Sequence, residues 1–141
     1  MPLPPLRFEP LLKTRAWGGD RMSALGKRLP SASAGSRIGE SWELADLPPP
    51  VADGVSRVAA GPFKGTSLRD LMDAHRHALL GSAADADGRF PLLIKFLDAA
   101  EHLSVQVHPT EAYAAAHPGS HLKTEAWVVV SAEPGAAIYR E

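Results

Sequence analysis

The sequence predicts a mainly β fold with a few short helices. Several segments of strand length alternate apolar and polar residues with period two and are rich in β-branched and aromatic side chains. Proline and glycine clusters punctuate them at short intervals, and only three stretches carry helical spacing or helix-end signals.

Taken in order, Leu6 to Leu12 is a short extended segment after prolines. Trp17-Gly18-Gly19 reads as a turn, because glycine reaches backbone conformations other residues resist. Trp17 is either a core anchor, the commoner use of an aromatic, or a ligand contact. Met22 to Leu29 is expected to be a short helix closed by Pro30, with a loop over Ser31 to Ser36. Ile38 to Asp46 reads as a strand, with Glu40 and Trp42 on one face and Ser41 and Glu43 on the other. Glu43 fits a solvated face as well as acid and base chemistry. Prolines 48 to 50 stop any ladder, and Val55 to Pro62 is a further strand ending in a turn.

Ser67 is a good N-cap for an amphipathic helix built on Leu68, Leu71, Met72, His75 and Leu79 and ending near Gly81. His75 and His77, two positions apart, point to different helix faces and do not share a metal. A small acidic loop over Ser82 to Gly88 follows. Phe90 to Asp98 is almost continuously apolar, as in a strand buried on both faces, with Lys95 as the exception. An ammonium there must reach water, find an anion or lose its proton. Thr110 caps a short helix to His117, which Pro118-Gly119 breaks; His117 and His121 are read as loop residues beyond it. Glu133 to Ala136 is a turn, and Ala137 to Glu141 begins another strand.

The chemistry concentrates in two segments. In Leu103-Ser104-Val105-Gln106-Val107-His108-Pro109 an extended strand places Ser104, Gln106 and His108 on one face. Gln106 and His108 are then close enough to lean onto one metal ion, each donor about 2 Å away. In Lys123-Thr124-Glu125-Ala126-Trp127-Val128-Val129-Val130 a neighbouring strand carries Lys123 and Glu125 on one face, and Glu125 supplies the anion.

Composition bounds the rest. A chain of 141 residues is one domain, residues 1–141, by the usual prior, with a formal net charge of −1. Its scattered basic residues leave no footprint for nucleic acid or an anionic membrane. The absence of cysteine removes disulfides and thiolate metal sites, leaving nitrogen and oxygen donors. The amino terminus has no leader pattern and no stretch has the length of a membrane span, so a cytoplasmic location is expected.

Gln106-Val107-His108-Pro109 with Lys123-Thr124-Glu125 closely resembles the type I phosphomannose isomerases, zinc enzymes of the cupin superfamily. Trp17-Gly18-Gly19, Gly39-Glu40-Ser41-Trp42 and the helix after Ser67 match in order, so the likeness covers nearly the whole chain. The resemblance implies a partial cupin-type jelly-roll barrel and one zinc ion per chain, held by Gln106, His108 and Glu125. Lys95 and Lys123 would be the catalytic cations, and with Ser104, Trp17 and Glu40 they would bind a hexose 6-phosphate. The implied reaction interconverts mannose 6-phosphate and fructose 6-phosphate, with zinc as a Lewis acid. The family's second histidine ligand and a pocket arginine lie further along than Glu141. The barrel is therefore expected to be incomplete at the C-terminus, completed by a companion chain or a missing C-terminal half, and the chain alone is expected to be inactive. The competing functions are a non-catalytic cupin-like sugar-phosphate binding module and another metal-dependent cupin enzyme, such as an iron oxygenase, which would want histidine where Gln106 stands.

Overall fold

A computed structural model describes residues 3–29, 37–83, 88–120 and 122–139. The expectations for Ser31 to Ser36, for residues 84–87 of the acidic loop, for His121 and for Arg140 and Glu141 lie outside the described residues. The chain forms two compact units, Met1–Leu103 and Ser104–Glu141.

The first unit holds a three-stranded antiparallel sheet in the order β1 (Leu11–Gly19), β2 (Ile38–Leu44), β3 (Ile94–Leu97), and the sheet is not closed among the described residues. Strand β2 is central and almost wholly buried, because it has a neighbour on each edge. Its alternation sorts as expected. The Trp42 indole donates to Glu40 at 3.3 Å and the Ser41 hydroxyl donates to Glu43 at 2.6 Å. Glu43 is not freely solvated, since Lys27 also pairs with it at 2.6 Å.

Trp17-Gly18-Gly19 is not a turn but the end of β1. Its glycines serve close approach. A Cβ on Gly18 would stand 2.6 Å from the Gly39 amide nitrogen, and one on Gly19 would meet the Asp98 carboxylate. Trp17 is half-buried and its carbonyl accepts from Ala100 at 3.0 Å. The expected helix over Met22 to Leu29 is shorter, a 3-10 turn over Arg21–Leu25 ended by Gly26 in the left-handed conformation.

The Val55 to Pro62 segment makes isolated bridges instead of a strand, pairing Val55 with Asp46, Arg57 with Ser67 and Val58 with Phe8. Helix α1 (Leu68–Leu80) starts where expected. Ser67 accepts from the Asp70 amide, and Asp70 returns a bond to the Ser67 amide. Leu68, Leu71 and Met72 face the core with Met22, Ile38, Trp42, Ala45 and Val58. At His75 the helix kinks, and that imidazole lies edge-on to Phe63 at 5.6 Å, whereas His77 is exposed.

Strand β3 departs from expectation in length and burial. It spans four residues of the apolar run, and Ile94 is half exposed. A β3 at the sheet's edge has one strand neighbour, and Phe90 is diverted to donate its amide to the buried Asp46 carboxylate at 2.9 Å. Asp46 also receives Arg69 at 3.0 Å and Arg89 at 3.3 Å, so a buried charge is compensated by two cations and a backbone amide.

The second unit contains α2 (Glu111–Ala116), capped by Thr110, whose hydroxyl accepts from the Tyr113 amide at 3.2 Å. The turn over Glu133 to Ala136 closes through a 3.0 Å backbone bond. The strands expected over Leu103 to Pro109, Lys123 to Val130 and Ala137 onward are absent among the described residues. A strand exists only through its ladder, and among the described residues none of the three segments has a hydrogen-bonded neighbour strand.

Candidate functional site

The residues singled out for chemistry fall into two clusters, one in each unit. In the first, the β2–β3 register sets Trp42 opposite Lys95, with Glu40 diagonal to it on the same face. Lys95 Nζ donates to Glu40 Oε1 at 2.6 Å, and Arg15 donates to Glu40 Oε2 at 2.5 Å. The Glu40 side chain is only 6% exposed, so it is a buried carboxylate between two cations. Burial pushes its pKa up, but the hydrogen bond and charge of Lys95, with the charge of Arg15, outweigh that and hold it below the ordinary glutamate value. Lys95 thus finds an anion, one of the three fates open to it. Arg15 and the Trp42 indole were not singled out from the sequence. Lys13, Arg15 and Trp17 alternate along β1, which is the local signal for a shared face, but nothing local points to Glu40.

In the second unit, His108 Nε2 lies 3.4 Å from Glu125 Oε2, and Lys123 Nζ donates to Glu125 Oε1 at 2.6 Å. The two segments stand on either side of α2 in the chain and carry an imidazole and a carboxylate that meet. The hydrogen bond from Lys123 is the main reason the Glu125 pKa is lowered, against a smaller opposing effect of burial. Glu125 is therefore ionised at neutral pH, as a carboxylate ligand must be. Beside His108 opens a cavity of about 460 Å³ lined by Val107, His108, Pro109, Thr110, Tyr113 and Ser120.

This donor pair suits a divalent cation. Two donors each about 2.0–2.1 Å from a tetrahedral zinc ion stand about 3.3 Å apart, close to the 3.4 Å between His108 and Glu125. Nitrogen and oxygen donors with a neighbouring opening are also the set such a cation accepts. Among the described residues, no third histidine, aspartate or glutamate joins them in metal-binding range. Gln106 and Ser104 are exposed on the segment leading to His108, and no hydrogen bond or ion pair among the described residues joins either to the cluster.

Comparison with known proteins places the chain in a family. The model of the phosphomannose isomerase type I catalytic domain matches residues 6–129. The chain is 42% identical over 135 residues to the mannose-6-phosphate isomerase ManA of Bacillus subtilis, covering 95% of this chain and 39% of that protein. The mannose-6-phosphate isomerase of Streptococcus mutans is 41% identical, with the same coverage of 95% and 39%. The crystal structure of the mannose 6-phosphate isomerase from Bacillus subtilis superposes with a TM-score of 0.66 at 35% identity, over 84% of this chain and 34% of that one. The chain thus spans about two fifths of the length of the curated relatives it matches. It has a partial cupin-type β architecture, and it belongs to the type I phosphomannose isomerase catalytic-domain family.

Proposed function

We propose that this chain carries the zinc-binding part of an aldose–ketose isomerase that interconverts mannose 6-phosphate and fructose 6-phosphate in the cytoplasm, and that residues 1–141 belong to one catalytic domain. The observation that carries the reading is the convergence of His108 and Lys123 on the two oxygens of Glu125 in a member of this family. Among the described residues, no helix is long and apolar enough to cross a membrane.

In this proposal His108, Glu125 and Gln106 hold zinc. When bound, zinc supplies a Lewis acid for the sugar oxygens as the carbonyl migrates between adjacent carbons. The residues of the chain do the rest. Lys123 keeps Glu125 deprotonated through one of its three N–H donors and has the other two for an anionic sugar phosphate. The cavity beside His108 gives a bound sugar room without displacing the ligand pair. Lys95, Glu40, Trp17 and Ser104 are proposed as further substrate-binding groups, and Lys95 as a second catalytic cation.

The test is zinc content and isomerase turnover of the purified chain beside its Glu125→Gln and His108→Ala variants. The expected result is one zinc ion per chain, lost in both variants. Equal zinc in all three would overturn the ligand assignment. Hexose phosphate turnover that persists after complete metal removal would overturn the metal-dependent reaction.

A further inference from the structure

We propose that Arg15 is a positioning residue: by holding Glu40 it lets Lys95 turn its ammonium to the phosphate of a bound sugar. This rests on the reading above that Lys95 meets the sugar phosphate, and it adds how the chain makes that cation available.

A lysine locked to a buried carboxylate is not free to serve an anion. Lys95 Nζ donates to Glu40 Oε1 at 2.6 Å, and Glu40 is buried. Moving an ammonium away from a buried carboxylate that it alone compensates strands a charge out of water, which is strongly unfavourable. Glu40 is not compensated by Lys95 alone. Its other oxygen accepts from Arg15 at 2.5 Å and from the Trp42 indole at 3.3 Å, so the carboxylate keeps a cation and a neutral donor when Lys95 turns away. The charges point the same way. Two cations on one carboxylate leave an excess positive charge that an anion completes, and a plain lysine–glutamate pair has no such excess. The Lys95 and Arg15 side chains are 21% and 37% exposed, so a solute reaches both cations.

The local build is specific to Arg15. Lys13 stands opposite Glu40 in the β1–β2 register, yet its ammonium is engaged by the Ala52 and Asp53 carbonyls at 3.1 Å and lies over the Trp42 ring. Beyond a shift in that register, the Arg15 stem passes against Gly39, where a Cβ would stand 2.6 Å from the Arg15 Cβ. A larger residue at 39 would push the stem off this path. The other terminal nitrogen of the guanidinium donates to the Thr14 carbonyl at 3.2 Å, which steadies it on its own strand.

The probe is inorganic phosphate, titrated calorimetrically into the full 141-residue chain at low ionic strength, with amide exchange of Ile38–Leu44 as the check on the sheet. One equivalent is expected to bind the parent chain. Arg15→Met should weaken binding at least about tenfold while the amides stay protected. Arg15→Lys, which keeps a cation for Glu40, should recover affinity to within about threefold of the parent. In a Glu40→Gln background no carboxylate needs holding, and there Arg15→Met should cost less than about threefold. Equal losses in the two backgrounds would make Arg15 a direct contact of the anion and overturn the proposal, as would an affinity that Arg15→Met leaves unchanged. Should Arg15→Met lose the protection of β2, Arg15→Lys decides: a loss of about tenfold with protection kept overturns the role of Arg15. Lys95→Met separates that role from the reading beneath it. If this variant binds phosphate as the parent does, or the parent binds none, the placing of Lys95 at the phosphate fails and the role of Arg15 with it. If Lys95→Met is weakened and Arg15→Met is not, only the role of Arg15 fails.

Discussion

The segments Ile38–Leu44 and Leu103 to Pro109 both read as strands in the sequence and end differently. Both have period-two alternation, with Glu40 sharing a face with Ile38 and Trp42 in the first and His108 sharing one with Ser104 and Gln106 in the second. The first is a central strand with β1 and β3 on its edges, and Ile38 and Trp42 are buried. The second forms no strand among the described residues, and Val105 and Val107 stand in solvent. Alternation therefore specifies which face a residue takes once a strand is paired, and it does not by itself supply the neighbour. The same contrast separates the clusters. Glu40 is fixed between Lys95 and Arg15 inside a sheet, whereas Glu125, with a side chain 25% exposed, is held by Lys123 and His108 on open chain.

The contrast can be pressed first where the difference in burial is greatest. Leu71→Ala is expected to cost about 2–5 kcal/mol in urea unfolding of the first unit, and Val128→Ala to stay within about 0.5 kcal/mol. A Val128→Ala cost as large as that of Leu71→Ala would show the second unit to be packed. Next in size, Lys95→Met leaves the buried Glu40 carboxylate with Arg15 and the Trp42 indole, at a cost of about 1–3 kcal/mol by the same measurement.

The sign of the accompanying pH effect follows from the lowered Glu40 pKa. Around that range the unfolded chain binds more protons than the folded one. The pair's contribution is therefore full above the ordinary glutamate pKa, about 4.3, and is lost as pH falls through the folded value. Urea midpoints between about pH 3 and pH 6 should decline less steeply in Lys95→Met than in the parent chain. Equal slopes would detach Glu40 from the acid limb. Smallest of all is the cap comparison. Ser67→Ala should cost about 1 kcal/mol in global unfolding. Thr110→Ala should leave the global transition in place and speed amide exchange only within Glu111–Ala116.

Local chemistry was legible wherever its partners lie close in sequence. Ser67 and Thr110 begin helices because their hydroxyls reach amides three residues on, a distance any reading of the chain can see. The faces of β2 were legible for the same reason. Trp17-Gly18-Gly19 misled because glycine permits a turn and also permits close backbone approach; the residues that decide, Gly39 and Asp98, are remote in sequence. The Phe90 to Asp98 run reads as buried on both faces, but sheet order makes β3 an edge, and order is not written in composition. That Lys95 needs an anion was readable; that Glu40, shared with Arg15, is the anion required the register between strands. At the second cluster, family motifs brought His108, Lys123 and Glu125 together where periodicity assumed strands that the described residues do not form.

The central claim is that His108 and Glu125 form two corners of a cation's coordination shell, and cobalt(II) reports on it directly because its visible absorption strengthens in a low-coordinate nitrogen and oxygen site. Titrating the chain with cobalt(II) should produce saturable visible bands at one equivalent that zinc displaces, and Glu125→Gln and His108→Ala should each weaken binding by at least about tenfold. Bands of unchanged intensity and affinity in both variants would contradict the account.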